Sequence, residues 1–410
     1  MQKTGNIVIG QSGGPTAVIN ASVAGAYAAA KELGAANVYG MVNGIQGFLE
    51  ENLLDLDEYL AEEEGMELLK RTPAAFLGTC RYKLPKPEGN EATYEKIFSI
   101  MEKHNITIML YVGGNDSMDT IKMLSDYAKE HGKTQRFVGI PKTIDNDLPV
   151  TDHCPGFGSA AKYIATSIKE IIRDNEAFEG KTKLILLEIM GRHAGWLTGA
   201  AGLCKSADCT GVDAIYLPER VFDIDAFVAK IEALAKEKSS IVIAVSEGVK
   251  LADGRFVSEY ASESTDVDVF GHKQVAGSCA VLSDIVYKRT GIKARVIEPS
   301  LLQRAASHVV SLTDVEEAFA AGYAGVKAAT EGETGVMVTL NRVSDAPYTC
   351  ETGTYDIHQI ANLEKKVPDH FISEDGCQIT EAFLTYLRPL IQGELHPIYK
   401  DGLPTHLVRR

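Results

Sequence analysis

Between Pro141 and Asp147 the chain reads Pro-Lys-Thr-Ile-Asp-Asn-Asp, so a cation, a hydroxyl and two carboxylates fall within six residues. Phosphoryl transfer to an alcohol needs a carboxylate to accept the hydroxyl proton. It also needs a cation or metal to offset charge on the transferring group. In such a reaction Asp145 is the natural base and Lys142 the natural phosphate clamp. On composition alone, a polar turn with an Asx-type cap fits the same residues equally well. Two glycine turns accompany this segment, Gln11-Ser12-Gly13-Gly14-Pro15 and Gly113-Gly114-Asn115-Asp116-Ser117. Glycines at strand ends let backbone N–H groups approach phosphate, and the following helix N-terminus favours negative charge. Either pair taken singly fits a tight strand–helix turn just as well. Neither matches the dinucleotide GxGxxG or the Walker A pattern, which disfavours a nicotinamide cofactor or a P-loop.

These turns need strands and helices to hold them. Asn6–Gly10 reads as a strand followed by an Ala-rich helix over Pro15–Glu32. Ile106–Val112 reads as a strand leading to a helix from about Ser117 to His131, and Arg136–Ile140 as a further strand. Lys183–Ile189, Ala214–Leu217 and Ile241–Val245 read as buried strands, with helices around Ser159–Arg173, Ala194–Lys205 and Ile224–Lys236. Repeated βα units with near-continuous apolar strands predict parallel sheets covered on both faces. The alternation runs too long for one comfortable open sheet. The expected class is therefore α/β, with two Rossmann-like lobes and the ligands at the carboxyl ends of their strands. Residues 1–140 are expected to form a donor-phosphate lobe, completed by about 275–340. Residues 141–274 are expected to form a sugar-phosphate lobe, and 341–410 an extension packed on both, with no chemistry apparent in it. Glu50–Glu64 reads as a solvated helical face or an acidic surface segment.

The 410 residues carry a net charge of −15. That argues against nucleic acid or an anionic membrane as the main partner. The seven cysteines are scattered and odd in number, without a CxxC pair. A disulfide framework or structural zinc is therefore not expected, and a reducing cytoplasm is. No signal-peptide pattern and no apolar run of membrane-spanning length stand out.

Taken together, these segments resemble the phosphofructokinase family. Ser12-Gly13-Gly14-Pro15, Leu77-Gly78-Thr79-Cys80-Arg81, the Gly-Gly-x-x-Ser turn at 113–117, Thr143-Ile144-Asp145-Asn146-Asp147, Met190-Gly191-Arg192, Ser246-Glu247-Gly248 and Thr313-Asp314-Val315-Glu316-Glu317 occur in the family's order and spacing, over roughly residues 5–330. The resemblance implies two α/β lobes with the active site in the cleft between them. It implies transfer to the 1-hydroxyl of fructose 6-phosphate, with Mg²⁺ as cofactor and a homodimer or homotetramer as the assembly. Asp145 would be the base, and Thr143 and Asp145 would position the sugar. Met190, Gly191 and Arg192 would line the sugar-phosphate site, with Arg192 close to the reacting centre. Glu247 would bond sugar hydroxyls. Gly14, Gly114 and Arg81 would hold donor phosphates, with Lys142 as clamp.

Departures from the family pattern bear on the donor. ATP users carry Gly-Gly-Asp-Gly-Ser or Thr, whereas this chain has Gly113-Gly114-Asn115-Asp116-Ser117. A carboxylate at Asp116 would crowd and repel a nucleotide's α-phosphate, and this resembles the pyrophosphate-dependent branch. Lys142 adds weaker support, since some ATP users share it. Asn115 stands where an Asp usually helps organise Mg²⁺ and is the expected metal-site residue, although its neutral oxygen is a weaker ligand for a hard cation and the metal would lean on Asp145 and the pyrophosphate oxygens. At the sugar end, the family's Gly-His-x-x-Arg arginine is missing from Gly271-His272-Lys273-Gln274-Val275, and Asp266 replaces another. Glu298-Pro299-Ser300-Leu301-Leu302-Gln303-Arg304 resembles a segment of the longer-chain branch. On that match Arg304 contacts the 6-phosphate and Leu301 replaces a tyrosine, with Lys273 or His272 assisting. Lys183 stands where some relatives reach into a neighbouring subunit. The main expectation is a pyrophosphate-dependent enzyme. An ATP-dependent phosphofructokinase, a lipid or NAD kinase, and a non-catalytic sugar-phosphate sensor are the alternatives.

Overall fold

The computed structural model describes residues 5–80, 82–177, 180, 182–263 and 277–409. The strands that matter here are β1 (Asn6–Gln11), β2 (Val38–Met41), β3 (Leu53–Asp55), β4 (Ile106–Gly113), β5 (Arg136–Pro141), β6 (Lys183–Ile189), β7 (Ala214–Tyr216), β8 (Ser240–Ser246), β9 (Ala294–Ile297), β10 (Val336–Asp345) and β11 (Tyr348–Asp356). The larger sheet runs β11-β10-β5-β4-β1-β2-β3 and the smaller β7-β8-β6-β9. All pairings in the smaller sheet are parallel. The larger sheet is parallel from β10 to β2 and antiparallel at its two outer pairs. These are two α/β lobes, as the apolar runs predict.

The apolar runs explain the layering. Every residue of β1 is buried, which requires a helix on each face. On one face, the helices Ile19–Glu32 and Leu312–Glu331 cross at Gly25 and Gly322. A Cβ at Gly25 would lie 1.9 Å from the Phe319 carbonyl oxygen, and one at Gly322 would lie 1.9 Å from that of Ser22. The two backbones touch because neither glycine has a side chain.

Register brings the turns together. Gly113 pairs with Pro141 across β4 and β5, and Gln11 pairs with Val112 across β1 and β4. Both glycine turns and the Lys142–Asp147 turn therefore leave the sheet side by side. In the smaller sheet Ile189 pairs with Ser246, so Met190–Gly191 and Glu247 also emerge as neighbours.

The sheets divide the chain differently from the expected segments. Helix Ser278–Thr290 and β9 belong to the smaller sheet, beside β6. The larger sheet is completed only by the helix Leu312–Glu331 and the β10–β11 hairpin. The hairpin runs past 341, so the start of the tail is sheet edge. Beyond it, Ile357 and Ile360 are buried in the larger-sheet lobe, and Val367, Phe383 and Leu387 in the smaller. The expected helix over Ala194–Lys205 is split into Trp196–Gly199 and a 3₁₀ turn at Ala200–Cys204. Phe383 and Ile379 of the tail press onto Gly199 and Gly202 there. The acidic segment folds as β3 and the short helices Asp57–Leu60 and Glu63–Arg71. The lobes are also joined by Asp314, whose carboxylate accepts the N–H groups of Gly156 and Ser159, both at 2.8 Å, at the start of the helix Phe157–Glu176. All seven cysteines are free thiols.

Gly322→Ala should force the crossing helices apart and cost about 1–3 kcal/mol, the usual penalty for an overpacked interior. Denaturant unfolding would measure it, and an unchanged midpoint would show that the crossing tolerates a methyl group.

Candidate active site

The cleft between the lobes holds a cavity of about 1060 Å³. Its floor is the first glycine turn. Lys142, only 3% exposed, donates from Nζ to the Gly14 carbonyl at 2.7 Å. A Cβ at Gly13 would lie 3.3 Å from Lys142 Nζ, and one at Gly14 would lie 3.0 Å from a guanidinium nitrogen of Arg304. Two cations thus converge over a turn with no side chain to keep them off. Gly13 also sits at φ 74°, a conformation that glycine adopts without steric cost. The second glycine turn places Gly114, Asn115 and Asp116 along the same cavity, at the N-terminus of the helix Asn115–Glu130.

The acidic turn is held from behind. Asn146 is fully buried at φ 54°. Its amide donates to Tyr386 Oη at 2.9 Å and accepts the Cys154 N–H at 2.9 Å. This fixes the turn so that Thr143, Asp145 and Asp147, on either side of Asn146, line the cavity. The Asp145 N–H donates to Thr143 Oγ1 at 3.0 Å. Burial pushes the Asp145 carboxyl up to about 7. The negative charges of Asp147 and Glu247 act in the same sense, against Lys142 and Arg304. Burial lowers Lys142 to about 8, opposed by Asp145 and Asp147. Burial also raises Asp147 above the usual carboxylate range. At neutral pH the turn therefore offers a partly ionised carboxylate next to a charged ammonium, which suits a general base. Carboxylates this crowded would also welcome a hard cation with oxygen ligands.

On the sugar side, Met190 and Glu247 line the cavity. The Glu247 carboxylate accepts the Gly191 N–H at 3.2 Å. The Met190 N–H donates to Oε1 of Gln303, itself 2% exposed, at 3.0 Å. Gln303 thereby ties the Met190–Gly191 turn to the short helix Leu302–Ala305 that carries Arg304.

Several expected residues sit elsewhere. Arg192 is exposed, with its guanidinium 5.1 Å over the Phe256 ring, and it is not among the residues lining the cavity. Leu301 is 58% exposed and is likewise absent from the lining. Gly191 is not among the lining residues and touches one of them, Glu247, by donating its N–H. Arg304 lines the cavity and lies against the glycine turn. Arg81, Asp266, His272 and Lys273 lie outside the described residues. Both polar atoms of the Asn115 amide are engaged by the tail: Nδ2 donates to the Leu363 carbonyl at 2.5 Å and Oδ1 accepts the Asn362 N–H at 2.8 Å. Trp196 packs against Phe371, Phe383 and Tyr386 and donates from Nε1 to the Lys365 carbonyl at 2.9 Å, a structural role.

Sequence reasoning quoted Ser12, Thr79, Asp147 and Gln303 within its motifs without giving them a role, and it missed Tyr82 and Lys83. It also missed the tail residues Asn362, Leu363 and Glu364 in the cavity wall. A place for Asp147 in the cavity could have been read, because it alternates with Asp145 in the same turn. The tail residues carry no local signal.

Residues 6–297 match the family model described as phosphofructokinase. A pyrophosphate–fructose 6-phosphate 1-phosphotransferase from Methylococcus capsulatus is 43% identical, over 98% of this chain and 95% of that protein. An enzyme of the same name from Xanthomonas campestris is 42% identical, over 98% of this chain and 96% of that protein. Among solved structures, a pyrophosphate-dependent phosphofructokinase from Nitrosospira multiformis superposes with a TM-score of 0.88 at 40% identity, over 98% of this chain and 95% of that one.

Asp147→Asn removes a like charge facing Asp145 and should lower the Asp145 pKa from about 7. The carboxyl ¹³C resonance of labelled aspartate, followed through a pH titration, would show the shift. An unmoved midpoint would leave burial and the Glu247 charge as the causes.

Proposed function

The chain belongs to the phosphofructokinase family, and from that premise we propose that it transfers a phosphoryl group from pyrophosphate to the 1-hydroxyl of fructose 6-phosphate. The observation that carries this reading is the convergence of Lys142 and Arg304 on the Gly13–Gly14 turn, beside a carboxyl held near 7. Two cations over bare backbone suit a compact polyanion. The poised carboxyl suits removal of an alcohol proton.

In this scheme, the donor lies on the glycine turn between Lys142 and Arg304. Met190 and Glu247 hold the sugar, with Glu247 bonding hydroxyls. Thr143 fixes the Asp145 backbone. Asp145 takes the proton from the 1-hydroxyl as that oxygen bonds to the near phosphorus. The bridging P–O bond breaks, and phosphate leaves with its charge offset by Lys142 and Arg304. In the reverse direction protonated Asp145 returns the proton, so the one group serves both ways.

Asp116 supports pyrophosphate over ATP. Its side chain is 86% exposed in the cavity mouth, with Lys83 Nζ 3.7 Å away. A nucleotide's α-phosphate would meet that carboxylate, whereas a two-phosphate donor ends before it. Mg²⁺ is the proposed cofactor, and Asp145, Asp147 and the remaining lone pair of Asn115 Oδ1 are the groups that would hold it. When bound it would neutralise donor charge. A homodimer or homotetramer is proposed as the assembly, supported by Leu301 and Leu302, each 58% exposed next to the site. A cytoplasmic setting is supported by seven free cysteines, which a reducing compartment preserves.

The test is fructose 1,6-bisphosphate formation with Mg²⁺, comparing pyrophosphate with ATP. Turnover with pyrophosphate is expected, and turnover with ATP alone would overturn the donor reading. Asp145→Asn should cut turnover roughly 10²–10⁴-fold, the usual contribution of a positioned base. A loss of only a few-fold would mean the base is another group. Forward kcat/KM should fall as pH drops below about 7, where Asp145 takes up its proton, and again above about 8, where Lys142 loses its charge. The reverse reaction needs protonated Asp145, so its optimum should lie lower. Coincident profiles in the two directions would contradict the assignment.

A further inference from the structure

The tail crosses the cavity as a strap. Ile357 and Ile360, both fully buried, anchor one end in the larger-sheet lobe, and Val367, 3% exposed, anchors the other in the smaller-sheet lobe. Between these anchors Asn362, Leu363 and Glu364 line the same cavity as Asn115, Asp116 and Thr120.

The strap is tied down along its length. Besides its two bonds to the Asn115 amide, the Asn362 amide donates to Asp119 Oδ1 at 3.0 Å. The Lys365 N–H donates to the Asp147 carbonyl at 2.6 Å. Lys365 Nζ donates to the Thr151 and Asp152 carbonyls at 3.1 and 2.7 Å. The strap is thus fixed both to the helix that begins at Asn115 and to the acidic turn.

Residue 115 has to be an amide for this geometry. An aspartate there would set an oxygen where Nδ2 now donates to the Leu363 carbonyl, and two acceptors would face each other at hydrogen-bond distance. The wall that results carries two carboxylates. Asp116 and Glu364 both line the cavity, and the Glu364 charge is felt as far in as Asp147.

We propose that the strap Asn362–Glu364, held in place by Asn115, limits the length of the phosphoryl donor by walling off the space beyond a second phosphate and presenting Glu364, in addition to Asp116, to any third. This rests on pyrophosphate being the donor. Asp116 alone is then only part of the selectivity. Its removal leaves the strap's backbone and Glu364 in the path of a longer polyanion.

Calorimetric titration of the full chain with pyrophosphate and with tripolyphosphate, in the presence of Mg²⁺, tests the strap without turnover. The variants are Asp116→Gly, Glu364→Gln, Asn115→Asp, and Asp116→Gly combined with Leu363→Gly and Glu364→Gln. Asp116→Gly should narrow the preference for pyrophosphate in part. The combined variant should narrow it about tenfold further, as loss of both a clash and a like charge predicts. Its pyrophosphate affinity should stay within about threefold. Glu364→Gln keeps the side chain's shape, so it decides the matter if the combined variant fails to fold, and it should shift the ratio about threefold. Asn115→Asp should raise hydrogen exchange at 362–364. The strap is ruled out if the combined variant, melting at the wild-type temperature, keeps the Asp116→Gly ratio, or if Asp116→Gly alone erases the preference. Turnover with ATP alone in the transfer assay would strike the donor reading, whereas an unchanged binding ratio would strike the strap.

Discussion

A buried ammonium needs compensating charge, and Lys142 is that ammonium. With 3% of its surface exposed, it depends on the Gly14 carbonyl and on the fields of Asp145 and Asp147 to stay protonated near neutral pH. Asp145 in turn needs Lys142 and Arg304, because burial and the charges of Asp147 and Glu247 would otherwise drive its proton on. Neither set of charges is stable at this depth without the other. The glycine turn lets the cations reach the backbone, the β4–β5 register sets the acidic turn against it, and Asn146 prevents that turn from relaxing outward. The groups that stabilise this arrangement are also the ones that would face substrate. A pyrophosphate molecule would supply the anionic charge that the converging cations still lack.

The parts legible in the sequence were those governed by local rules. Near-continuous apolar runs such as Ile106–Val112 revealed buried parallel strands, and glycine pairs at their ends revealed phosphate-sized turns. Lys142, Asp145, Gly14, Gly114, Asp116, Met190 and Glu247 all line one cavity. Interactions between distant segments were not legible. Nothing near Arg192 says that its guanidinium turns to Phe256, and nothing near Arg304 says that it reaches Gly14. β9 could not be assigned to the smaller sheet from its own residues, because strand partners are chosen by packing and not by local pattern. The helix expected over Ala194–Lys205 failed for the same reason, since its shape answers to Phe383 and Ile379 of the tail.

The tail shows most clearly how non-local the site is. It has no glycine pair at the end of a strand, so it reads as inert packing. Yet Asn362 and Leu363 take both polar atoms of the Asn115 amide, and Lys365 reaches the backbone of the acidic turn. A departure from the family pattern at position 115, which in isolation suggests a weakened metal ligand, becomes a hydrogen-bonding requirement of a segment almost 250 residues away.

The central claim is direct, reversible transfer between pyrophosphate and a sugar hydroxyl. Isotope exchange at equilibrium reaches it most directly. Labelled inorganic phosphate is added to enzyme, Mg²⁺, pyrophosphate and the two sugar phosphates. Label should pass into pyrophosphate only when fructose 1,6-bisphosphate is present, at a rate that collapses in Asp145→Asn. Exchange that proceeds without the sugar bisphosphate, or none with every component present, would contradict the account.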